Sequence, residues 1–105
     1  MNSIEYSTRE KVYNVAIDHY GTDPQILMVI EEMSELTKEL CKFFRGKEDL
    51  KAIAEETADV TIMLEQLRII FNMNDQVCDQ MDSKVMRLAD RLKMDVTEIL
   101  PNGNV

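Results

Sequence analysis

Apolar residues in this chain recur three or four positions apart, in four successive stretches that are separated by only a few residues. That spacing matches the turn of an α-helix, and no stretch alternates with the two-residue period of a β-strand. The chain has 105 residues, which is the size of one domain. We therefore expect an all-α fold, an antiparallel four-helix bundle over residues 1–95, followed by a loose tail over residues 96–105.

Local signals predict where the four helices begin and end. The first starts at a capping box of Ser7 and Glu10 and ends at Tyr20, before Gly21. Its apolar face is expected to carry Val12, Val15, Ala16 and His19. The other helices are predicted from an N-cap at Asp23 to near Gly46, from Glu48 to near Phe71, and from an N-cap at Asn74 to near Asp95.

The charge of the chain excludes several classes of function. Twenty acidic residues stand against twelve basic ones, giving a net charge of −8, so we expect no binding to nucleic-acid backbones. The longest apolar run, residues 26–30, is far short of the roughly 20 residues that a membrane span needs. The N-terminus lacks the pattern of a signal peptide, and Cys41 and Cys78 lack metal-ligand spacing, so we expect reduced thiols in the cytoplasm.

Two acidic windows are the most informative feature of the sequence. Residues 31–35 (EEMSE) and 55–59 (EETAD) lie in the second and third predicted helices and contain no base. In each window two acids lie three positions apart and project from one helical face: Glu32 with Glu35, and Glu56 with Asp59. Because both pairs lie at comparable distances from the connecting loop, antiparallel packing brings them face to face.

Glu56 has the most diagnostic position. It lies about 40° around the helix from Val60, inside the apolar stripe, where an ionised carboxylate loses its hydration. Four inward carboxylates with no nearby base predict a site for a hard divalent cation, Mg²⁺ or Mn²⁺. The alternative is a solvated acidic face. That surface role is the expected one for the acids that point further out: Glu31, Glu39 and Glu55. Of these, Glu31 and Glu55 are also candidates to support the metal ligands from outside.

The pattern EExxE, twenty residues, then ExxD, on neighbouring helices, resembles the MazG-like all-α nucleoside triphosphate pyrophosphohydrolases. The resemblance covers about residues 23–95. It implies Mg²⁺-dependent cleavage of a (deoxy)nucleoside triphosphate to the monophosphate and pyrophosphate, in nucleotide-pool sanitation. It also implies a set of metal ligands: Glu32, Glu35, Glu56 and Asp59. A homodimer or homotetramer is expected from this resemblance, from the small core and from the eight methionines.

Other residues have predicted roles around these ligands. Glu35 is the candidate catalytic base, which would take a proton from the attacking water. Lys84, Arg87 and Arg91 flank the stripe of the fourth helix; the resemblance implies phosphate binding by Lys84 and Arg91, and a solvated basic edge is the alternative. Gln66 stands where longer relatives often have Asn. The bases that end the second helix are expected to interact with its dipole: Lys38, Lys42, Arg45 and Lys47.

Three alternatives to this function make different demands on the sequence. Phosphoribosyl-ATP pyrophosphohydrolase shares the acidic motifs, but the segment after Asp59 lacks the aromatic–histidine pair expected there. A di-iron bundle needs Glu-x-x-His twice, and His19 is the single histidine. A non-catalytic helical interaction protein, whose acids are only surface, stays open; unlike a metal enzyme, it should gain little thermal stability from Mg²⁺.

Overall fold

The computed structural model describes residues 3–101, and every regular element in that range is an α-helix. The helices are α1 (Tyr6–Tyr20), α2 (Thr22–Phe44), α3 (Leu50–Ile70), α4 (Asn74–Arg91) and α5 (Val96–Ile99). The predicted all-α class with four long helices is therefore confirmed. None of the described helices combines the length and the apolar character that crossing a membrane requires.

The described residues form two compact units, which divide between Asn72 and Met73. In the first unit α2 packs extensively against α3, and α1 contacts both. Gln25 lies beside Gln66, whereas Glu32 lies beside Glu56, so residue numbers rise along α2 as they fall along α3. These two helices are therefore antiparallel, as predicted. The second unit contains α4 and α5.

Three predicted helix starts are wrong by one or two residues. The N-cap of α1 is Glu5, not Ser7, and no side chain caps that helix, so the predicted capping box does not form. Gly21 directly precedes α2, which places Asp23 inside the first turn. Asn74 is the first residue of α4 and not its N-cap. In each case the residue type suits the end of a helix, but the chain geometry selects a neighbouring position.

Two other helix starts are fixed by side chains. Asp49 caps α3, close to the predicted start of that helix, by accepting a hydrogen bond from the backbone N–H of Ala52 at 3.1 Å. The tail was expected to be loose, but α5 forms there. Asp95 accepts from the N–H of Thr97 while Glu98 accepts from the N–H of Asp95, both at 3.0 Å. This reciprocal capping box explains the extra helical turn.

The buried residues of the first unit are few and partly polar: Tyr13, Gln25, Val29, Met63 and Gln66. The predicted apolar face of α1 is wrong, since Val12 and Val15 are 63% and 68% exposed and His19 is also exposed. Tyr13 takes the inward position instead, because its hydroxyl finds an acceptor on α3.

Candidate metal centre

Three carboxylates converge between α2 and α3. Glu32 comes from α2, and Glu56 and Asp59 come from one turn of α3; one oxygen of each lies within 4.8 Å of the other two. Positions three apart share a helical face, so a single turn of α3 presents both of its acids to the facing position on α2. The structure thus brings together three of the four predicted metal ligands, which we call the acid triad.

Glu56 is the least compensated member of the acid triad. The residue is half-buried, and its Oε2 is the only buried side-chain nitrogen or oxygen in the described part of the chain that has no hydrogen-bond partner. Loss of hydration raises the pKa of the Glu56 carboxyl, and the charges of Asp59, Glu35 and Glu39 raise it further. The ionised form of Glu56 is therefore disfavoured by its whole surroundings.

Glu32, like Glu56, is a carboxylate whose surroundings disfavour ionisation. It is half-buried, and desolvation is the largest cause that raises the pKa of its carboxyl, followed by the charges of Asp59 and Glu56. Every cause that shifts these two pKa values opposes ionisation. The fold gathers negative charge at this point without balancing it, which is the condition that a bound cation relieves.

Glu35 lies one turn beyond Glu32 on α2 and is not among the three convergent carboxylates. It is exposed, as is Asp59 in the triad, so only two of the four carboxylates that were predicted to point inward are half-buried. The charge of Glu35 nonetheless helps to raise the pKa values of both Glu32 and Glu56. Glu31 and Glu55 are exposed, as their outward positions predicted. Their charges act on Glu32 and Glu56 respectively, as weaker causes.

Glu39 lies closer to the acid triad than the sequence interpretation allowed. Its side chain is only 14% exposed, and its charge helps to raise the pKa of Glu56. Lys42 donates to Glu39 Oε1 at 3.1 Å, which brings a base to the end of this acidic face. Glu32, Glu35 and Glu39 are spaced three and then four apart, and this one-face spacing is the signal that would have identified Glu39.

The predicted phosphate-binding residues lie in the second unit. Lys84 and Arg91 are exposed on α4, and Arg87 lies exposed between them. Their spacing places them along one side of that helix, as expected. Their action on phosphate stays a prediction.

Glu65, a second partly buried carboxylate on α3, was not predicted from the sequence to have a role. Glu65 accepts two hydrogen bonds from Arg9, at 3.0 Å from Nε and 2.9 Å from Nη2, and one from the Tyr13 hydroxyl at 2.5 Å. The bonds from Arg9 are the largest cause that lowers the pKa of the Glu65 carboxyl, against the effect of burial. Both donors lie on α1, more than fifty positions away in sequence, so no local spacing reveals them.

Oxygen ligands of this kind suit Mg²⁺ or Mn²⁺. Ligand oxygens that share one Mg²⁺ at bonds of about 2.1 Å lie no more than about 4.2 Å apart. The three oxygens of the acid triad lie within 4.8 Å of one another, so their side chains would have to move closer together to hold the ion. Glu56 Oε2 gains most from such an ion, because it has no other partner.

Comparison with known proteins finds no protein-family model, no curated protein and no solved structure that matches the chain. What the chain does is therefore inferred from its own residues.

Proposed function

We propose that this chain is a Mg²⁺-dependent, MazG-like nucleoside triphosphate pyrophosphohydrolase, which releases a (deoxy)nucleoside monophosphate and pyrophosphate. The observation that supports it most is the acid triad with its buried, unpartnered Glu56 Oε2. A chain with a net charge of −8 needs a bound cation before such a cluster attracts an anionic substrate. A triphosphate bound with its Mg²⁺ meets that condition.

The proposed chemistry assigns a role to each acid. Glu32, Glu56 and Asp59 would hold Mg²⁺, with Glu35 as the fourth ligand or as the base. When bound, Mg²⁺ neutralises phosphate charge and lowers the pKa of a coordinated water. Glu35 is exposed and outside the triad, so it would take the proton of the attacking water. As the water oxygen bonds to the α-phosphorus, the bond from that phosphorus to the oxygen that bridges to the β-phosphorus would break, and pyrophosphate would leave with that oxygen. Lys84 and Arg91 are the proposed phosphate-binding residues.

We further propose an antiparallel four-helix bundle that assembles as a homodimer or homotetramer. In the described residues no large side chain is fully buried. Many large apolar side chains are more than half exposed, among them Val12, Val15, Leu27, Ile30, Phe44, Leu50 and Phe71. Covering such surface with further copies is favourable. Sedimentation at micromolar concentration should show a dimer or tetramer, and a stable monomer would contradict this assembly.

The proposed cellular role is sanitation of the cytoplasmic nucleotide pool. Cys41 and Cys78 are both free thiols, which suits a reducing compartment. No contact with nucleic acid or with a membrane forms part of the proposal.

The deciding experiment is a panel of standard and damaged (deoxy)nucleoside triphosphates, assayed with Mg²⁺ for both pyrophosphate and orthophosphate. We expect pyrophosphate from at least one substrate and none when a chelator removes Mg²⁺. Orthophosphate as the product would contradict the proposed cleavage. No turnover of any substrate, with no gain in stability from Mg²⁺, would instead favour the non-catalytic interaction protein.

A further inference from the structure

An open pocket of about 440 Å³ lies in the first unit, close to the acid triad. Its lining consists of Tyr20, Pro24, Gln25, Met28 and Met63. Met28 precedes Glu32 by four positions on α2, and Met63 follows Asp59 by four positions on α3. Because the helices are antiparallel, both steps lead in one direction along the groove between them. Four residues make about one helical turn, so the pocket begins about 6 Å from the acid triad along the helix axes.

The walls of the pocket suit a flat heteroaromatic ring. Tyr20 is 62% exposed and offers an aromatic face, while Met63 is buried in the lining. Met28, at 37% exposed, supplies a second thioether. Sulfur and aromatic groups both attract π-systems. None of the lining residues is charged, so the pocket has no side chain that would bind the metal ion or a phosphate group through an ion pair.

A buried amide supplies the polar edge. Gln25 is 7% exposed and donates from Nε2 to Gln66 Oε1 at 2.7 Å. Gln66 in turn donates from its own Nε2 to Met63 Sδ at 3.5 Å, which fixes the orientation of both amides. The bond to Gln66 uses one N–H of Gln25. Its second N–H and its carbonyl oxygen remain as a donor and an acceptor, the groups with which an amide pairs with the edge of a nucleobase.

The turn between α1 and α2 holds Tyr20 at the pocket. Gly21 has φ +96°, in the left-handed region that favours glycine. The Gly21 N–H donates to Ile17 O at 2.9 Å. The Tyr20 ring also meets the His19 ring edge-on, with centroids 4.7 Å apart. These contacts position the aromatic wall before any ligand arrives.

We propose that this pocket, here called the base pocket, holds the nucleobase of the triphosphate whose metal-bound phosphates lie at the acid triad. The ring stacks between Tyr20 and the methionines, and its edge pairs with Gln25. The assignment rests on the proposed function, because the triad must first hold the phosphates through Mg²⁺. It makes Tyr20, Gln25 and Met28 the residues that determine which base is accepted.

The test compares ligands with and without a base. In the presence of Mg²⁺, equilibrium dialysis measures the affinity of the wild-type protein for α,β-methylene triphosphates of the standard nucleosides and for inorganic tripolyphosphate. The preferred nucleotide should bind about tenfold or more tightly than tripolyphosphate, since stacking a base on an aromatic side chain contributes that much. Equal affinity for all of these ligands would overturn the base pocket.

Two exposed wall residues allow the test to be repeated without disturbing the core. Tyr20→Ala and Met28→Ala should each weaken nucleotide binding by about tenfold and leave tripolyphosphate binding unchanged. Leu27→Ala is the matched control, because Leu27 is the neighbour of Met28 on α2, is 65% exposed and does not line the pocket. It should change neither affinity. The proposal fails if the two wall variants bind nucleotides normally, or if they weaken tripolyphosphate equally.

Pyrophosphate release by the same proteins separates this inference from the proposed function. Base-dependent binding that the wall variants abolish, without any pyrophosphate release, would support the base pocket and overturn the hydrolase. Pyrophosphate release with unchanged KM in Tyr20→Ala and Met28→Ala would support the hydrolase and overturn the base pocket. If neither nucleotides nor tripolyphosphate bind, both are overturned.

Discussion

Two carboxylates on α3 differ in how the fold treats them. Glu65 accepts hydrogen bonds from Arg9 and Tyr13, and its pKa is lowered. Glu56, nine positions earlier on the same helix, has a buried oxygen with no partner, and its pKa is raised. Both residues are half-buried, so burial alone does not distinguish them.

The difference lies in compensation. Around Glu65 the chain supplies its own cation and hydroxyl, so this carboxylate joins α1 to α3 and needs nothing from outside. Around Glu56 the chain supplies only further acids. A charge that the fold leaves uncompensated indicates a ligand, whereas one that the fold compensates indicates structure. Substituting glutamine at each position tests that distinction with one chemical change.

The largest expected effect is on turnover. Glu56→Gln keeps the shape of the side chain but removes a ligand charge, so Mg²⁺-dependent pyrophosphate release should fall by roughly a hundredfold or more. Glu65→Gln removes the charge of another half-buried carboxylate, which touches no part of the proposed site, so its turnover per folded molecule should stay near that of the wild type. Pyrophosphate assays on both variants measure the contrast. Near-normal turnover in Glu56→Gln would show that Glu56 is not needed for catalysis, although its side chain points toward α2.

Stability without metal should change in opposite directions. Glu65→Gln loses charge-assisted hydrogen bonds and should lower the free energy of unfolding by about 1–2 kcal/mol. Glu56→Gln relieves desolvation and repulsion, so it should leave that free energy unchanged or raise it. Urea denaturation in the presence of a chelator measures both. A destabilised Glu56→Gln protein would mean that the Glu56 carboxylate already has a partner in the metal-free state.

The two stability differences should also depend on pH in opposite ways. The folded-state pKa of Glu65 is depressed, so the stability it contributes is present above the ordinary value of 4.5 and is lost as pH falls through the lowered pKa. The folded-state pKa of Glu56 is raised. Its penalty is therefore absent below 4.5, grows as pH rises from there, and is complete above the raised pKa.

Denaturation curves over this pH range, with each variant compared with the wild type, measure those differences. The advantage of Glu56→Gln should disappear on acidification, and so should the disadvantage of Glu65→Gln. If the Glu56→Gln difference is independent of pH, it arises from packing and not from charge.

The smallest effect is expected from the outward acids. Glu55→Gln and Glu31→Gln remove exposed charges that act only weakly on Glu56 and Glu32, so each should lower turnover by less than about tenfold. Steady-state pyrophosphate release provides the measurement. If Glu55→Gln lowers turnover more than Glu56→Gln does, Glu55 and not Glu56 points into the site, which would contradict the acid triad.

Much of this fold could be predicted from sequence, because periodicity is a local property. Apolar spacing predicted four helices, and the 100° rotation per residue placed Glu56 at the interface with α2. The predicted helix starts were less accurate, because several adjacent residues are suitable N-caps and the backbone conformation determines which of them takes that position. The Asp95–Glu98 capping box was readable in the sequence, as was the one-face spacing that includes Glu39.

Long-range compensation could not be predicted. Arg9 and Tyr13 bind Glu65 from α1, more than fifty positions away, and no spacing along the chain indicates that contact. The same contact explains why Tyr13, and not Val12 or Val15, faces inward from α1. Hydrogen bonds between residues that are far apart in sequence can be identified only once the packing of the helices is known.

Direct metal binding tests the central claim, that the acid triad is a divalent-cation site. Mn²⁺ is titrated into the metal-free wild-type, Glu56→Gln and Glu65→Gln proteins, and electron paramagnetic resonance reports the free ion. The wild type and Glu65→Gln should bind Mn²⁺ that Mg²⁺ displaces, and Glu56→Gln should bind it about tenfold or more weakly. No Mn²⁺ binding by the wild type, or equal binding by all three proteins, would contradict the account.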